Sequence, residues 1–165
     1  MYGLLHHPQY REKYADCLKR DLPRIPYAPD FCPFANAGRE LARLHLEYED
    51  AQEYPLDGIA AEDQPLSYRV EKMRLSKDKT ELKVNDTLTL AGIPPETFRY
   101  RLGNRSALEW VIDQYQVKTD KRSGITSDPN SADDPEYIIR LVGKVITVSL
   151  ETVRIVEALP EDFGG

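Results

Sequence analysis

The sequence predicts an α+β fold: an N-terminal helical pair, then an antiparallel β-meander packed with two further helices. Three observations lead to this prediction. Apolar residues recur at helical spacing near both ends of the chain, they alternate with charged residues between Tyr68 and Leu90, and a helix-capping sequence starts at Ser106. With 165 residues, 41% hydrophobic and 30% charged, the chain is long enough for one domain with a core and a short helical lead-in.

The N-terminal helical pair is expected at residues 8–20 and 33–49. Pro8 suits the first position of a helix, and the residues after it form an apolar stripe: Tyr10, Tyr14, Cys17 and Leu18. Leu41 and Leu44 belong to a similar stripe in the second helix. Between the helices, three prolines in residues 22–29 remove backbone donors, which predicts a stiff, extended connector. Residues 2–7 resemble the end of a helix whose start is missing, so we expect a fragment of a longer polypeptide.

The remaining elements follow from turn and capping signals. Residues 53–66 are acidic and rich in turn formers, which predicts a loop or linker. The alternation from Tyr68 to Leu90 predicts three antiparallel strands with one solvated face. Ser106 and Glu109 form a capping box for a helix over 106–116, residues 117–133 are expected to be a polar loop, and a last helix is expected from Asp134 to about Ala158. The chain thus divides into residues 1–52, 53–66 and 67–165.

Composition excludes several classes of protein. No apolar run approaches the roughly 18 residues of a membrane span, and residues 1–7 lack a signal-peptide pattern, so we expect a cytoplasmic protein with no membrane partner. Two cysteines do not build a disulfide framework, and none of the three histidines has ligands at metal-binding spacing, so no metal site is predicted. The net charge of −6 opposes nucleic-acid binding unless positive charge is concentrated locally.

No catalytic residue is predicted, so this chain by itself is not expected to be an enzyme. It lacks a Gly-rich phosphate loop, the Asn/Asp-Pro-Pro-aromatic tetrapeptide of amino-methyltransferases and a Gly-x-Ser-x-Gly turn. Glu81 and Lys83, with Asp57 or Asp63 upstream, do match the Asp…Glu-x-Lys pattern of metal-dependent nucleases. We favour the alternative that these charges line the solvated face of a hairpin.

Basic and polar residues flank the predicted 106–116 helix on both sides. Arginine can bind guanine with two hydrogen bonds, Asn and Gln can bind adenine, and Lys or hydroxyl groups can bind phosphates. The candidate DNA-binding residues are therefore Asn104, Arg105, Gln116, Lys118, Lys121, Arg122, Ser123 and Asn130. An ordinary solvated loop is the alternative interpretation of the same composition.

One long run of the sequence is highly specific to a known protein family. It covers residues 102–118 and continues into Ser123-Gly124-Ile125 and Asp128-Pro129-Asn130; further matching stretches lie at residues 7–14, 22–26, 38–46 and 148–152. In these stretches, and over essentially its whole length, the chain resembles the C-terminal specificity (target-recognition) domain of type ISP restriction-modification enzymes.

The resemblance implies a DNA target-recognition module whose partners are double-stranded DNA and an upstream methyltransferase domain of the same polypeptide. Residues 1–52 would then be a helical bridge from that methyltransferase. The N6-adenine methyltransferase, the ATP-driven translocase and the nuclease would lie upstream and use S-adenosylmethionine, ATP and Mg²⁺, with no cofactor in this chain. Two alternatives stay open: a non-catalytic structural module that docks on a methyltransferase, and a small metal-dependent nuclease.

Overall fold

The computed structural model describes residues 1–20 and 23–163, which fall into two compact units. One unit contains Met1–Tyr48 together with the chain from Glu151 onward, and the other contains Glu49–Leu150. The last helix contributes its first part to the second unit and its last turns to the first. Leu22, at the start of the predicted connector, lies outside the described residues.

The first unit is helical and contains more helices than the predicted pair. They are α1 (Tyr2–His6), α2 (Pro8–Lys13), α3 (Ala15–Arg20) and α4 (Phe31–Leu46). Pro8 is the first residue of α2, as expected, but the predicted continuous helix over 8–20 is wrong. It is interrupted at Tyr14, whose backbone leaves the helical region at φ −106° and ψ 19°. Helix α4 begins at Phe31, two residues before the predicted start, and Asp30 caps it by accepting a hydrogen bond from Cys32 N at 3.0 Å.

An apolar core holds this helical unit together. Buried members come from three of its helices and from the C-terminal turns: Leu4, Tyr10, Phe34, Leu41, Ile155, Leu159 and Phe163. The approach of α1 to α4 is close because both present glycine at the contact. A Cβ atom on Gly3 would lie 2.7 Å from Phe34 O and 3.0 Å from Gly38 N.

The second unit contains a four-stranded antiparallel sheet. Its strands are β1 (Asp57–Ala60), β2 (Arg74–Leu75), β3 (Glu81–Lys83) and β4 (Leu88–Ala91), in the spatial order β1-β4-β3-β2. The predicted three-stranded meander is present as β2, β3 and β4, with its first strand at Arg74–Leu75. The fourth strand, β1, lies in the loop predicted over 53–66, so that prediction is wrong there. All four residues of β1 are exposed, so this strand has no alternating pattern of burial that the sequence could show. It is formed only by backbone pairing with β4.

Tyr68–Val70 does not form the first strand of the meander. Val70 N donates to the side chain of Asn130 (2.8 Å), and Val70 O accepts from the same side chain (2.7 Å). Because these backbone groups already have partners, they are not available to a strand ladder.

Short hairpins and helices complete the second unit. A 3₁₀ turn (Pro95–Arg99) is followed by β5 (Arg101–Leu102), β6 (Arg105–Ser106), α5 (Ala107–Gln114), β7 (Lys118–Thr119), β8 (Thr126–Ser127) and α6 (Tyr137–Glu157). The predicted capping box of α5 is present. The polar loop expected over 117–133 instead contains the β7–β8 hairpin, whose strand residues are all exposed. The α+β class is confirmed. Among the described helices, none combines the length and the apolar character that a membrane span needs.

Candidate nucleic-acid interface

Helix α5 begins at a capping box that is tied to the turn between β2 and β3. Ser106 is buried; its hydroxyl accepts from Glu109 N (3.2 Å), and the Glu109 carboxylate accepts from Ser106 N (2.8 Å). Lys79 Nζ lies 2.8 Å from the same carboxylate. These donors lower the pKa of Glu109 to about 2, and the Lys79 hydrogen bond is the largest cause. The first turn of α5 is thereby fixed.

Three of the candidate residues meet beyond that turn, at Asp113. Arg105 Nη1 lies 3.3 Å from Asp113 Oδ2, and Lys118 Nζ lies 3.7 Å from the same oxygen. Lys118 Nζ and Gln116 Nε2 each donate to the Asp113 carbonyl at 2.7 Å. The Arg105 guanidinium also lies 5.3 Å from the centre of the Trp110 ring. We call Arg105, Trp110, Asp113, Gln116 and Lys118 the Asp113 cluster.

The Asp113 cluster has more positive than negative charge and remains accessible to solvent. Its two cations share one carboxylate, and the side chains of Arg105 and Lys118 are 43% and 51% exposed. Exposed ion pairs contribute only about 0–1 kcal/mol, so an incoming phosphate can replace Asp113 as a partner at small cost. Trp110 is 42% exposed and adds an aromatic surface next to the guanidinium.

Asn104 lies in the tight turn between β5 and β6, next to the Asp113 cluster. Gly103 precedes it with φ +71°, a conformation that favours glycine, and the Arg101 guanidinium donates to the Asn104 carbonyl. Trp110 Nε1 donates to Leu102 O at 3.0 Å, which joins this turn to α5. The side chain of Asn104 is exposed at the tip.

The β7–β8 hairpin carries Lys121 and Arg122 at its end. Its turn is organised by Asp120, whose carboxylate accepts from Arg122 N (2.9 Å), Ser123 N (2.7 Å) and Ser123 Oγ (3.0 Å). These hydrogen bonds, led by that from Ser123 N, lower the pKa of Asp120. Ser123 therefore shapes the turn. Among the described residues, no carboxylate pairs with Lys121 or Arg122, and both side chains are exposed.

Asn130 has a structural role that sequence analysis did not foresee. Its amide is fully engaged with the backbone of Val70, as described above, and its Nδ2 also lies 2.7 Å from Asp128 Oδ1. The pKa of Asp128 is lowered to about 2, first by this hydrogen bond and then by those from Asn130 N and Arg69. A base contact by Asn130 would require breaking bonds that hold residues 67–70 in place.

A second basic surface, which sequence analysis missed, lies where residues 67–74 face the turn between β3 and β4. A cleft of about 400 Å³ opens there, and four basic side chains line it: Arg69, Lys72, Arg74 and Lys83. We call it the 67–87 cleft. These charged residues belong to the alternating pattern that predicted the meander. The prediction placed them on the solvated face of a sheet. Their assembly around one cleft depends on how residues 67–74 fold back against the β3–β4 turn.

Comparisons with known proteins agree with this architecture. The family model of the type ISP C-terminal specificity domain matches residues 1–141. The chain belongs to the type ISP C-terminal specificity domain family. A comparison with curated protein sequences gave no match.

Solved structures resemble this specificity domain along nearly its whole length. A nuclease-deletion mutant of the type ISP restriction-modification enzyme LlaGI, in complex with a DNA substrate mimic, is 44% identical with a TM-score of 0.88. The ATP-dependent type ISP enzyme LlaBIII, bound to DNA, is 41% identical (TM-score 0.88), and DrdV in a DNA complex is 40% identical (TM-score 0.81). Each match covers 98% of this chain but 16%, 11% and 17% of the respective protein. The specificity domain thus spans less than a fifth of each relative.

The nuclease-like pattern gains no support from the geometry of the specificity domain. Asp57 and Glu81 both pair with Ala91, from opposite sides, so their Cα atoms lie two strand spacings apart, or about 10 Å. Lys83 Nζ lies 2.7 Å from Asp86 Oδ1, in an exposed ion pair. Within residues 1–20 and 23–163, no three His, Cys, Asp or Glu side chains are grouped closely enough to hold a metal ion.

Proposed function

We propose that this specificity domain binds double-stranded DNA, recognises a target sequence in it, and performs no catalysis of its own. The observation that carries the proposal is the convergence of Arg105, Gln116 and Lys118 on Asp113. The hairpin that begins at Lys118 carries two further cations, Lys121 and Arg122, at its tip. Three relatives solved with DNA or a DNA mimic support this proposal.

The side chains divide by chemistry into phosphate and base contacts. Lys121 and Arg122 are exposed cations on a turn, and no carboxylate among the described residues pairs with them, which suits phosphates. Arg105 is held against Trp110 and can present a guanidinium edge to guanine, while the exposed amide of Asn104 can serve adenine. Ser123 and Asn130 position backbone segments and are not assigned to DNA. This local concentration of positive charge explains how a chain of net charge −6 can bind a polyanion.

The test compares Lys121→Ala/Arg122→Ala with unaltered protein. Loss of two phosphate contacts should weaken duplex binding and lower the slope of log K against log[salt] by about two units. Lys19→Ala/Arg20→Ala is the matched control, because it removes the same Lys-Arg dipeptide from α3. A salt slope equal in both variants would remove the hairpin tip from the interface.

We also propose that the domain works as part of a longer restriction-modification polypeptide. In that arrangement an N6-adenine methyltransferase, an ATP-driven translocase and a nuclease precede it, and they use S-adenosylmethionine, ATP and Mg²⁺. Residues 1–52 then form the bridge to the methyltransferase. The small share of each relative that the chain covers supports this proposal.

A second candidate function, docking on the preceding methyltransferase, is favoured by the exposed apolar residues around the connector. Ile25 is 53% exposed, Phe31 72% and Tyr27 100%. Side chains of this size are seldom so exposed together unless they contact another surface.

Docking and DNA recognition make opposite predictions for two variants. If docking is the main function, Tyr27→Ser/Phe31→Ser abolishes binding to the preceding polypeptide, and the 165-residue chain shows no duplex affinity even in low salt. If DNA recognition is the main function, Lys121→Ala/Arg122→Ala weakens duplex binding, and Tyr27→Ser/Phe31→Ser leaves it unchanged.

A further inference from the structure

The 67–87 cleft is charged rather than apolar. Its volume of about 400 Å³ is at the lower end of small-molecule sites, but such sites are lined mainly by hydrophobic and aromatic side chains. Here four basic residues and two acidic ones, Glu71 and Asp86, are among the lining side chains. The cleft therefore suits an anion and not an apolar ligand.

Two of the four cations, Lys72 and Arg74, form no salt bridge with any residue that the structure describes, although the hydrogen bond and charge of Lys83, and after them the charge of Arg74, lower the pKa of Asp86. Lys83 pairs with Asp86 (2.7 Å), and Arg69 pairs with Asp128 (2.6 Å). Among the residues that the structure describes, no carboxylate lies within 4 Å of the charged groups of Lys72 or Arg74. Both side chains are exposed, so their charges are available to a ligand.

The walls of the cleft are fixed by hydrogen bonds from side chains to the backbone. Asn85 Nδ2 donates to Ser67 O (2.7 Å) and to Arg69 O (2.8 Å), while Thr87 Oγ1 accepts from Ser67 N (3.0 Å). Burial of Val70 and Met73 anchors the same segment from the other side. A ligand therefore meets a preformed site and does not have to order a loop.

The cleft is connected to the proposed DNA surface within the same compact unit. Val117 N donates to Glu71 O at 2.9 Å, which joins the cleft to the residue preceding Lys118. On the other side, the Arg69–Asp128 pair lies next to the end of β8. Both contacts lie at the base of the β7–β8 hairpin, so the cleft adjoins the segment that carries Lys118, Lys121 and Arg122.

We propose that the 67–87 cleft binds backbone phosphates of the same DNA duplex, with Lys72 and Arg74 as the contacting residues. This inference rests on the proposed function. We assign the contact to phosphates because Lys72 and Arg74 supply exposed charge and the amide in the lining is engaged: Asn85 uses its Nδ2 on Ser67 and Arg69 and its Oδ1 on Thr87 N and Leu88 N. A guanine contact by Arg74 would instead give the cleft a sequence preference. The cleft therefore holds the duplex in place while the Asp113 cluster contacts bases.

The test measures binding of the 165-residue chain to several unrelated duplexes over a range of salt concentrations. For Lys72→Ala/Arg74→Ala we expect the same fold loss on every duplex and a salt slope lower by about two units. Duplexes with single neutral methylphosphonate linkages provide a second measurement: at one or two positions they should weaken the unaltered protein but not the variant. Lys19→Ala/Arg20→Ala is again the matched control, and urea midpoints check that every variant is folded.

The outcomes separate this inference from the proposed function. If Lys121→Ala/Arg122→Ala loses affinity while Lys72→Ala/Arg74→Ala binds like the control, the cleft is not a DNA site and the proposed function stands. A change of sequence preference in the cleft variant would overturn its assignment to phosphates. If the unaltered chain binds no duplex at any salt concentration, both proposals are wrong.

Discussion

The side-chain amide of Asn130 forms both backbone hydrogen bonds of Val70, a residue sixty positions earlier in the chain. The donor of Val70 lies 2.8 Å from Asn130 Oδ1, and its acceptor lies 2.7 Å from Asn130 Nδ2. An amide side chain thus replaces the neighbouring strand that Val70 would otherwise need. Because Val70 is fully buried, these bonds determine where residues 67–74, and with them the 67–87 cleft, are held.

Replacing Asn130 with alanine should therefore destabilise the protein. Two backbone groups of a buried residue lose their partners, and each unsatisfied group costs about 1–3 kcal/mol. We expect the free energy of unfolding to fall by about 2–6 kcal/mol, measured by urea denaturation.

Asn104→Ala is the control for this prediction, since its side chain is exposed at the tip of a turn. A change below about 0.5 kcal/mol is expected there. If Asn130→Ala kept full stability but lost duplex affinity, Asn130 would be a DNA contact and the structural role given to it would be wrong.

Gly3→Ala should also destabilise, although alanine usually favours a helix over glycine by up to about 1 kcal/mol. The added methyl group would lie 2.7 Å from the Phe34 carbonyl oxygen, so α1 must move away from α4. Strain of this kind typically costs about 1–3 kcal/mol. The urea midpoint of the variant should fall accordingly.

Asn36→Ala, at an exposed position of α4, tests whether the loss comes from packing. This control should keep or slightly raise stability, because alanine is the better helix former. Stabilisation by Gly3→Ala would contradict the close approach of the two helices.

Stability should fall as the pH drops below the ordinary histidine range, because His45 is held neutral. Its Nδ1 lies 2.7 Å from Tyr2 Oη, and its Nε2 lies 2.8 Å from Thr152 Oγ1. Burial, followed by the nearby charge of His6, lowers the pKa of His45 from 6.5 to about 4. The unfolded chain therefore binds a proton that the folded chain does not, and this contribution to stability is lost as the pH falls from 6.5 towards 4.

The pKa of His45 can be measured directly by NMR titration of its ring protons. In parallel, the free energy of unfolding of His45→Gln should depend less steeply on pH between 4 and 6.5 than that of the unaltered protein. A measured pKa near 6.5 would show that the imidazole is not buried as described.

Helix positions were predictable where local signals and burial periodicity agree. The Ser106–Glu109 capping box marked the start of α5, and Pro8 marked α2. Strand β1 and the β7–β8 hairpin were missed, since all their residues are exposed and hydrogen bonding to another strand leaves no hydrophobic pattern.

The candidate site was predictable in part for a similar reason. Arg105, Gln116 and Lys118 flank one short helix, so local sequence brings them close, and the structure unites them at Asp113. Lys72 and Arg74 were not predicted as site residues. They become neighbours of Lys83 only because residues 67–74 fold against a distant turn.

The amino-acid order alone therefore specified the α+β class and the helix around which basic residues gather, because both depend on local patterns along the chain. The family followed from the resemblance of residues 102–118 and the other matching stretches. Long-range folding assigned the roles of individual side chains. It gave Asn130, a candidate DNA-binding residue, hydrogen bonds to both backbone groups of Val70, and it assembled a basic cleft from separate segments. Contacts between residues sixty positions apart follow from packing and hydrogen-bond satisfaction over the whole unit, which no local pattern encodes.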